Sequence, residues 1–348
     1  MKKNLVVVGY GGMGSWHAEQ ALASDVVQLL GVYDIKPERL EAAESKGIYA
    51  YPSLEAVLND NRVDLITVAT PNDVHKELCI KGLRAGKHVI CEKPVMLSVE
   101  ELEEVIAVSK EENRLFTVHQ NRRWDADHLA VKQLHDTAEL GKVLRIESRI
   151  HGSRGIPGDW RGMKVHGGGM LYDWGVHLID QILQIYKAPL KTVYCTFDHI
   201  TNEEVDDGCR VEMTFEGGQT ALVEVGTHNF ISMPRFYVRA ENGTAVIRDW
   251  RENCQVVRCK LFNEIGVVPV KTAAGLTKTM APRNEVTVEE YELERPVSDV
   301  HDFYRNYCRA INGEETQLVT HPQMLRVLKV IEKAFESVAC GQVVPFGE

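Results

Sequence analysis

Over the first 120 residues the chain alternates between short apolar runs and helix-like segments. The runs are LVVVG (5–9), LLGVYD (29–34), VDLITVAT (63–70), HVICE (88–92) and LFTVHQ (115–120). Between them, 12–24, 36–46, 53–59, 72–85 and 98–113 read as helices, the last opened by a Ser98–Glu101 capping box. Strands that are apolar almost throughout must be covered on both faces, and helices between them supply the cover. This pattern predicts an α/β fold: a doubly wound parallel Rossmann sheet over 1–122. At 348 residues the chain is too long for one small core, so 123–348 form a second domain.

The rhythm changes after Trp124. WDADHLAVKQLHDTAEL reads as a helix ending near Gly141, and strand-like segments follow at 142–150, 191–200, 209–217, 219–228, 235–250 and 254–262. Several alternate with period two, and Gly217-Gly218 and Asn242-Gly243 are hairpin signals. With helices at 170–186, 297–311 and 320–340, this predicts an α+β domain built on a large, mostly antiparallel, open-faced sheet. An open face, if apolar, would seat a second copy, giving a homodimer or homotetramer.

Charge and cysteines narrow the partners. The net charge of −10 argues against nucleic acid and anionic membranes, both of which want a basic surface. The N-terminal apolar run spans only 5–8, against the roughly 7–15 residues of a signal peptide, and no stretch approaches the roughly 20 of a membrane helix. Eight scattered cysteines without a C-x-x-C pair fit reduced thiols in a cytoplasmic protein. A small-molecule partner is expected.

GYGGMG places Gly9, Gly11 and Gly14 in G-x-G-x-x-G spacing, directly after the first strand and at the start of a helix. In that context Gly9 permits a tight turn, Gly11 lets backbone approach a pyrophosphate, and Gly14 lets helix pack on strand. The helix N-terminus adds N–H groups and a positive dipole end. Asp34 closes the second strand, where a carboxylate would bind the adenosine ribose. An acid there repels a 2′-phosphate, which favours NAD, while Lys36 and Arg39 nearby leave NADP open. In ATPNDVH (69–75), Thr70, Pro71 and Asn72 should cover the cofactor, although an ordinary strand-to-helix turn would read the same way.

HVICEKPVML (88–97) puts two charges and a proline at the end of a buried strand. Ligands of open α/β sheets sit beyond the carboxyl ends of the strands. Lys93 stands at such an end, with Pro94 fixing the local backbone, in cis or trans. A Glu92–Lys93 surface pair explains the local sequence equally well.

CEKPV after a glycine-loop domain, GSWHAEQAL, ATPNDVH, HQNRRWD (119–125) and GGGMLYDWGVHLIDQIL (167–183) together resemble the glucose–fructose oxidoreductase, inositol dehydrogenase and rhizopine-catabolism (Gfo/Idh/MocA) family. The likeness runs over essentially the whole chain and is greatest to the polyol and sugar dehydrogenase branch; the region after 250 matches no usable pattern. It implies that Lys93, Asp173 and His177 are catalytic and line the substrate pocket. It extends the cofactor set to Tyr10, Gly12, Met13, His75, Glu92, Lys93 and Gln120, with Trp160 and Arg161 of GDWRG as further members. Arg122 and His166 join the substrate side, and Arg123 goes to the surface.

Residue chemistry agrees with these roles. Positions 173 and 177 are four apart and share one face of an α-helix. An imidazole titrating near 6.5 suits proton transfer near neutral pH. Lys93 would hydrogen-bond the reacting oxygen, and either it or His177 could serve as base. Asp173 would hold a substrate hydroxyl or orient the imidazole. Asp173, His177 and Asp180 make too loose a cluster for a metal, so none is expected. The expected activity is NAD(P)-dependent oxidation of a secondary hydroxyl of a sugar, glycoside or cyclitol. Two rivals use nearly the same residues: an NAD-dependent glycoside hydrolase or eliminase working by transient oxidation, and a dinucleotide-sensing regulator that needs no catalytic group.

Overall fold

A computed structural model describes residues 2–262 and 267–347. Five parallel strands, β1 (Lys3–Val8), β2 (Val27–Tyr33), β3 (Leu65–Val68), β4 (His88–Cys91) and β5 (Phe116–Val118), lie in the order β2-β1-β3-β4-β5. A parallel bridge between Val32 and Ala50 adds a one-residue strand outside β2. The strand order reverses at β1, so a crevice opens above β1 and β3 at their carboxyl ends. Helices α1 (Gly12–Ala23), α2 (Pro37–Ser45), α3 (Leu54–Asn59), α4 (His75–Arg84) and α5 (Val99–Glu111) connect the strands. Every residue of β3 is buried, as a strand covered on both faces requires.

The second domain opens with α6 (Ala126–Asp136) and β6 (Val143–His151). A π-helical turn (Leu171–Gly175) then runs directly into α7 (Val176–Ile185). Strands β7 (Leu190–Asp198), β8 (Gly208–Phe215), β9 (Thr220–Gly226), β10 (Phe236–Ala240), β11 (Gly243–Ile247) and β12 (Cys254–Cys259) follow. After a small hairpin, β13 (Val270–Thr272) and β14 (Gly275–Thr277), come β15 (Val288–Leu293), α8 (His301–Ile311), α9 (His321–Cys340) and β16 (Val344–Pro345). Nine strands form one sheet, β15-β12-β11-β10-β6-β9-β8-β7-β16, antiparallel throughout except for the parallel pair β6–β9. Gly217 and Gly218, both at φ near +80°, turn β8 into β9. At the other signal, Gly243 is already paired with Ala240, so the turn centres on Glu241 and Asn242.

Residues alternate on β8: Cys209, Val211, Met213 and Phe215 are buried while Arg210, Glu212 and Thr214 are exposed. Along β8 the face turned away from the core is polar and charged. Arg145 meets Glu147 at 2.6 Å, Arg149 meets Glu224 at 3.3 Å, and Arg210 meets Glu212 at 2.7 Å across it. Among the described residues no helix is long and apolar enough to cross a membrane.

The chain crosses the boundary near residue 122 a second time. Helix α8 returns to the nucleotide-binding sheet, where the Tyr307 hydroxyl is bonded to the carbonyls of Val89 and Leu115 at 2.9 and 2.7 Å. The edge of β5 is covered by the lead-in to α9: Gln317 Nε2 donates to Phe116 O, and Thr117 Oγ1 to Val319 O. An edge strand hidden in this way cannot recruit another strand.

Candidate active site

At the crevice, β1 turns into α1 through Gly9, whose φ of +95° belongs to the left-handed region and whose added Cβ would lie 2.5 Å from Ala69 O. A Cβ on Gly14 would strike Gly9 O at 1.8 Å, whereas one on Gly11 or Gly12 would meet nothing within 4 Å. The loop is tight toward the protein and open toward the crevice. Helix α1 has no side-chain cap, which leaves the N–H groups of its first turn, including Met13, for a ligand. Asp34 accepts the Tyr10 N–H at 2.7 Å and the Lys36 N–H at 2.9 Å. Its carboxylate is thereby fixed beside the glycine loop with lone pairs to spare.

The next turn divides its residues between two tasks. Asn72 is buried and donates to Gly167 O at 2.9 Å, tying the nucleotide domain to the triple glycine of the second. His75 is fully buried, its ring nitrogens 3.0 Å from Pro94 O and Thr70 O, so it braces two loops from beneath. Glu92 is likewise turned inward. Its Oε1 accepts from His17 Nε2 at 2.7 Å and His119 Nδ1 at 2.9 Å, and its Oε2 accepts the Lys93 N–H at 3.1 Å. The Tyr304 hydroxyl of α8 bonds the other nitrogen of His17. Burial pushes the Glu92 carboxyl up, yet its two histidine partners carry it well below the usual range.

Lys93, joined to Pro94 by a cis peptide, reaches across to the second domain. Its Nζ donates to Asp173 Oδ1 and to Asp173 O, both at 2.8 Å. Arg161 Nε lies 3.4 Å from the same carboxylate oxygen. Burial opposes the charge on Asp173, but the Lys93 and Arg161 cations outweigh it and hold the carboxyl below its ordinary value. Asp173 is thus bound to two cations, and among the described residues it makes no hydrogen bond to His177. Lys93 and Arg161 occupy the Asp173 carboxylate in place of the imidazole. Asp173 therefore engages Lys93 rather than the His177 ring.

His177 is buried, and its Nδ1 has no partner among the described residues. Burial first, then the Lys93 and Arg122 cations, push its pKa well below 6.5. The imidazole is therefore neutral at physiological pH, a correction to the ordinary titration assumed for it. Arg122 lies 4.4 Å over Trp174 and 5.2 Å over Trp250, pairs with Asp125 at 3.1 Å, and keeps a buried Nε without a partner. Arg123 is not on the surface. It grips Asp180 with two hydrogen bonds of 2.8 and 2.6 Å, which also removes Asp180 from any metal cluster with Asp173 and His177. Trp160 stacks on Arg161 at 4.7 Å, and His166 meets Asp73 at 3.1 Å at the mouth between the domains.

Trp250, on the turn after β11, had no mark in the sequence, because nothing local says that this turn reaches the pocket. Trp174 stood inside a recognised motif, yet its neighbours invited attention only to Asp173 and His177. His17 and His119 could have been suspected only by knowing that α1 and β5 converge on Glu92.

Tyr10 Oη, Thr70 Oγ1, Gln120 Oε1, Asn121 Oδ1 and His177 Nδ1 are buried and unpartnered among the described residues. A buried polar atom left unpaired costs about 1–3 kcal/mol. With the glycine loop and Asp34, this set of free donors and acceptors fits a dinucleotide laid along the strand ends with a polar substrate at Lys93.

Known proteins agree on the framework. Residues 3–120 match the family model described as the oxidoreductase family, NAD-binding Rossmann fold, and 128–246 match the GFO/IDH/MocA C-terminal domain. A crystal structure of an NAD-binding protein from Listeria innocua is 45% identical, with a TM-score of 0.96 over 99% of both chains. An uncharacterised oxidoreductase of Schizosaccharomyces pombe is 36% identical over 346 residues, 91% of this chain and 92% of that one. A scyllo-inositol 2-dehydrogenase (NADP(+)) of Bacillus subtilis is 25% identical over 336 residues, covering 95% and 92%. The loop, the strand order and both family domains lead to one conclusion: the chain belongs to the Gfo/Idh/MocA family of NAD-binding oxidoreductases.

Proposed function

We propose that the protein oxidises a secondary hydroxyl of a carbohydrate or cyclitol, with NAD preferred. The observation that carries this reading is the junction of Lys93 from one domain with Asp173 from the other, beside a neutral buried His177. A nicotinamide bound there supplies the hydride acceptor. The ammonium of Lys93 has three N–H donors, and Asp173 engages two of them, which leaves one for the substrate oxygen. Charge developing on that oxygen is met by a donor already in place, the arrangement that lowers a barrier most. His177 takes the hydroxyl proton. Its depressed basicity keeps it deprotonated at neutral pH, so no proton has to leave before turnover. Thr70 and Gln120 offer hydrogen-bonding groups for the cofactor amide and ribose, and His166 pairs with Asp73 at the mouth.

Asp34 supports the preference for NAD, since a 2′-phosphate would meet a carboxylate already bonded to Tyr10 and Lys36. The B. subtilis relative is named for NADP(+), so the cofactors must be compared directly. The test is a panel of inositols, aldoses and methyl glycosides with NAD and NADP, run on wild type, Lys93→Met and Asp34→Ser. NADH formation with at least one polyol or sugar is expected. Lys93→Met should lose about 10²- to 10³-fold in kcat, the measured range for one oxyanion donor, with little change in NAD affinity. Asp34→Ser should narrow the NAD preference by a few-fold. Aglycone release without net NADH would instead favour transient oxidation, and binding without turnover would favour a sensor.

A further inference from the structure

Beside the site lies a cleft of about 290 Å³ lined by Trp16, Asn121, Trp124, Asp125, Ser298 and Val300. None of these side chains is used by the mechanism above. The rings of Trp16 and Trp124 are held from behind: Trp16 lies 5.5 Å from His119, and Trp124 meets Phe303 edge-on at 6.0 Å. Asn121 Oδ1 is buried without a partner among the described residues. Asp125 bonds Arg122, whose guanidinium rests on Trp174, and Trp174 lies 5.8 Å from His177. Residues 121–125 are therefore a wall common to the cleft and the substrate pocket. Asp34, which would hold the adenosine end of the cofactor, follows β2, and the cleft adjoins β5 at the opposite edge of the sheet.

We propose that this cleft is a second saccharide subsite, holding the neighbouring ring of a glycosidically linked substrate while the reacting ring sits at Lys93 and His177. A pyranose presents an apolar C–H face ringed by hydroxyls. Two indoles accept that face, while an amide and a carboxylate accept hydroxyls. A free inositol or monosaccharide would leave the cleft unfilled. This inference rests on the carbohydrate reading of the active site and narrows it to disaccharides or longer glycosides.

The experiment compares glucose, cellobiose and maltose as substrates of the full-length protein with NAD, in wild type, Trp124→Ala and Ser298→Trp. The first variant removes a platform, and the second fills the cleft from an exposed position without touching the core. At least one disaccharide should exceed glucose in kcat/KM. Both variants should cut that disaccharide value about three- to tenfold, the worth of one aromatic contact, with glucose and the NAD KM within about twofold. Equal losses on glucose, a rise confined to the NAD KM, or glucose preferred by wild type would overturn the subsite. Calorimetric titration of NAD-loaded protein with cellobiose and maltose separates the two readings. Without turnover of any sugar, disaccharide binding that Ser298→Trp abolishes would keep the subsite and sink the dehydrogenase. Neither binding nor turnover would sink both.

Discussion

Two histidine–carboxylate clusters sit one residue apart in sequence and differ in exposure and in what their carboxylates bind. Around Glu92, His17, His119 and Tyr304 form a buried network, and the ligand atoms of His17, Glu92 and His119 all lie within 4.8 Å of one another. Both carboxylate oxygens and both nitrogens of His17 are engaged, His119 Nε2 has no partner among the described residues, and neither histidine side chain is exposed. Around Lys93, the partners come from two domains, Lys93 and Asp173 keep side-chain exposures of 13% and 14%, and His177 retains an unpaired nitrogen. Residue type alone would rank the first cluster as the better metal or proton site. Access reverses that ranking: the Glu92 carboxylate is fully engaged away from solvent, whereas the Lys93 group keeps partial exposure and a free donor at a crevice, ready for a ligand.

The comparison breaks most visibly at His177. His177→Asn should lower kcat by about 10²- to 10⁴-fold, the usual range for a general base. In wild type, the acidic limb of kcat/KM for oxidation should lie well below pH 6.5, because burial and the Lys93 and Arg122 cations disfavour the imidazolium. A limb near pH 7 that survives in His177→Asn and vanishes in Lys93→Met would move the proton to Lys93 and make the two groups a coupled pair.

Glu92→Gln attacks the closed cluster. Glutamine can offer His17 and His119 one oxygen, but its amide then faces the Lys93 N–H, donor against donor. Loss of a charge-assisted bond of this kind costs about 1.5–3 kcal/mol. Urea unfolding should report a lower midpoint, and kcat should fall while the NAD KM holds, because Lys93 loses its backbone anchor. Unchanged stability would mean that the network is ornamental.

How much of this was readable beforehand follows the range of the interactions. The nucleotide sheet was legible because its strands are continuous apolar runs, its helices are local, and its glycine loop is a contiguous signal. β8 and β9 were legible from period-two alternation and Gly217-Gly218. β15 was not seen: its burial is only intermittent, and it is a strand because β12 lies beside it. Nor could α8 be assigned to the first domain from its own sequence. Lys93, Asp173 and His177 were singled out through motifs. What they touch was not, because Lys93, which binds Asp173, lies 80 positions away in the chain. Arg123 was misread for a related reason, since its partner Asp180 lies on α7, 57 positions away.

The smallest expected effect concerns the acid response that both clusters share. Six buried or half-buried histidines, His17, His75, His88, His128, His177 and His321, have pKa values depressed mainly by burial, His88 to about 4 and His128 to about 3. Below pH 6.5 the unfolded chain binds protons that the folded one refuses, so stability must fall on acidification. Asp206 works the other way. It is buried, accepts the Leu171 N–H at 2.8 Å at the start of the π turn, and has its pKa raised to about 7 by desolvation. Its folded form holds a proton that the unfolded form releases above about 4, so its contribution is lost as pH rises through 7. Six groups against one leave a net loss toward acid, and the Tm at pH 5 should lie below that at pH 7.5. Asp206→Asn removes the opposing group and should steepen that slope by at most about 1.4 kcal/mol per pH unit, the value of one proton. A slope unchanged in Asp206→Asn would mean that Asp206 is ionised in the folded protein, with the Leu171 N–H and its other neighbours compensating its burial.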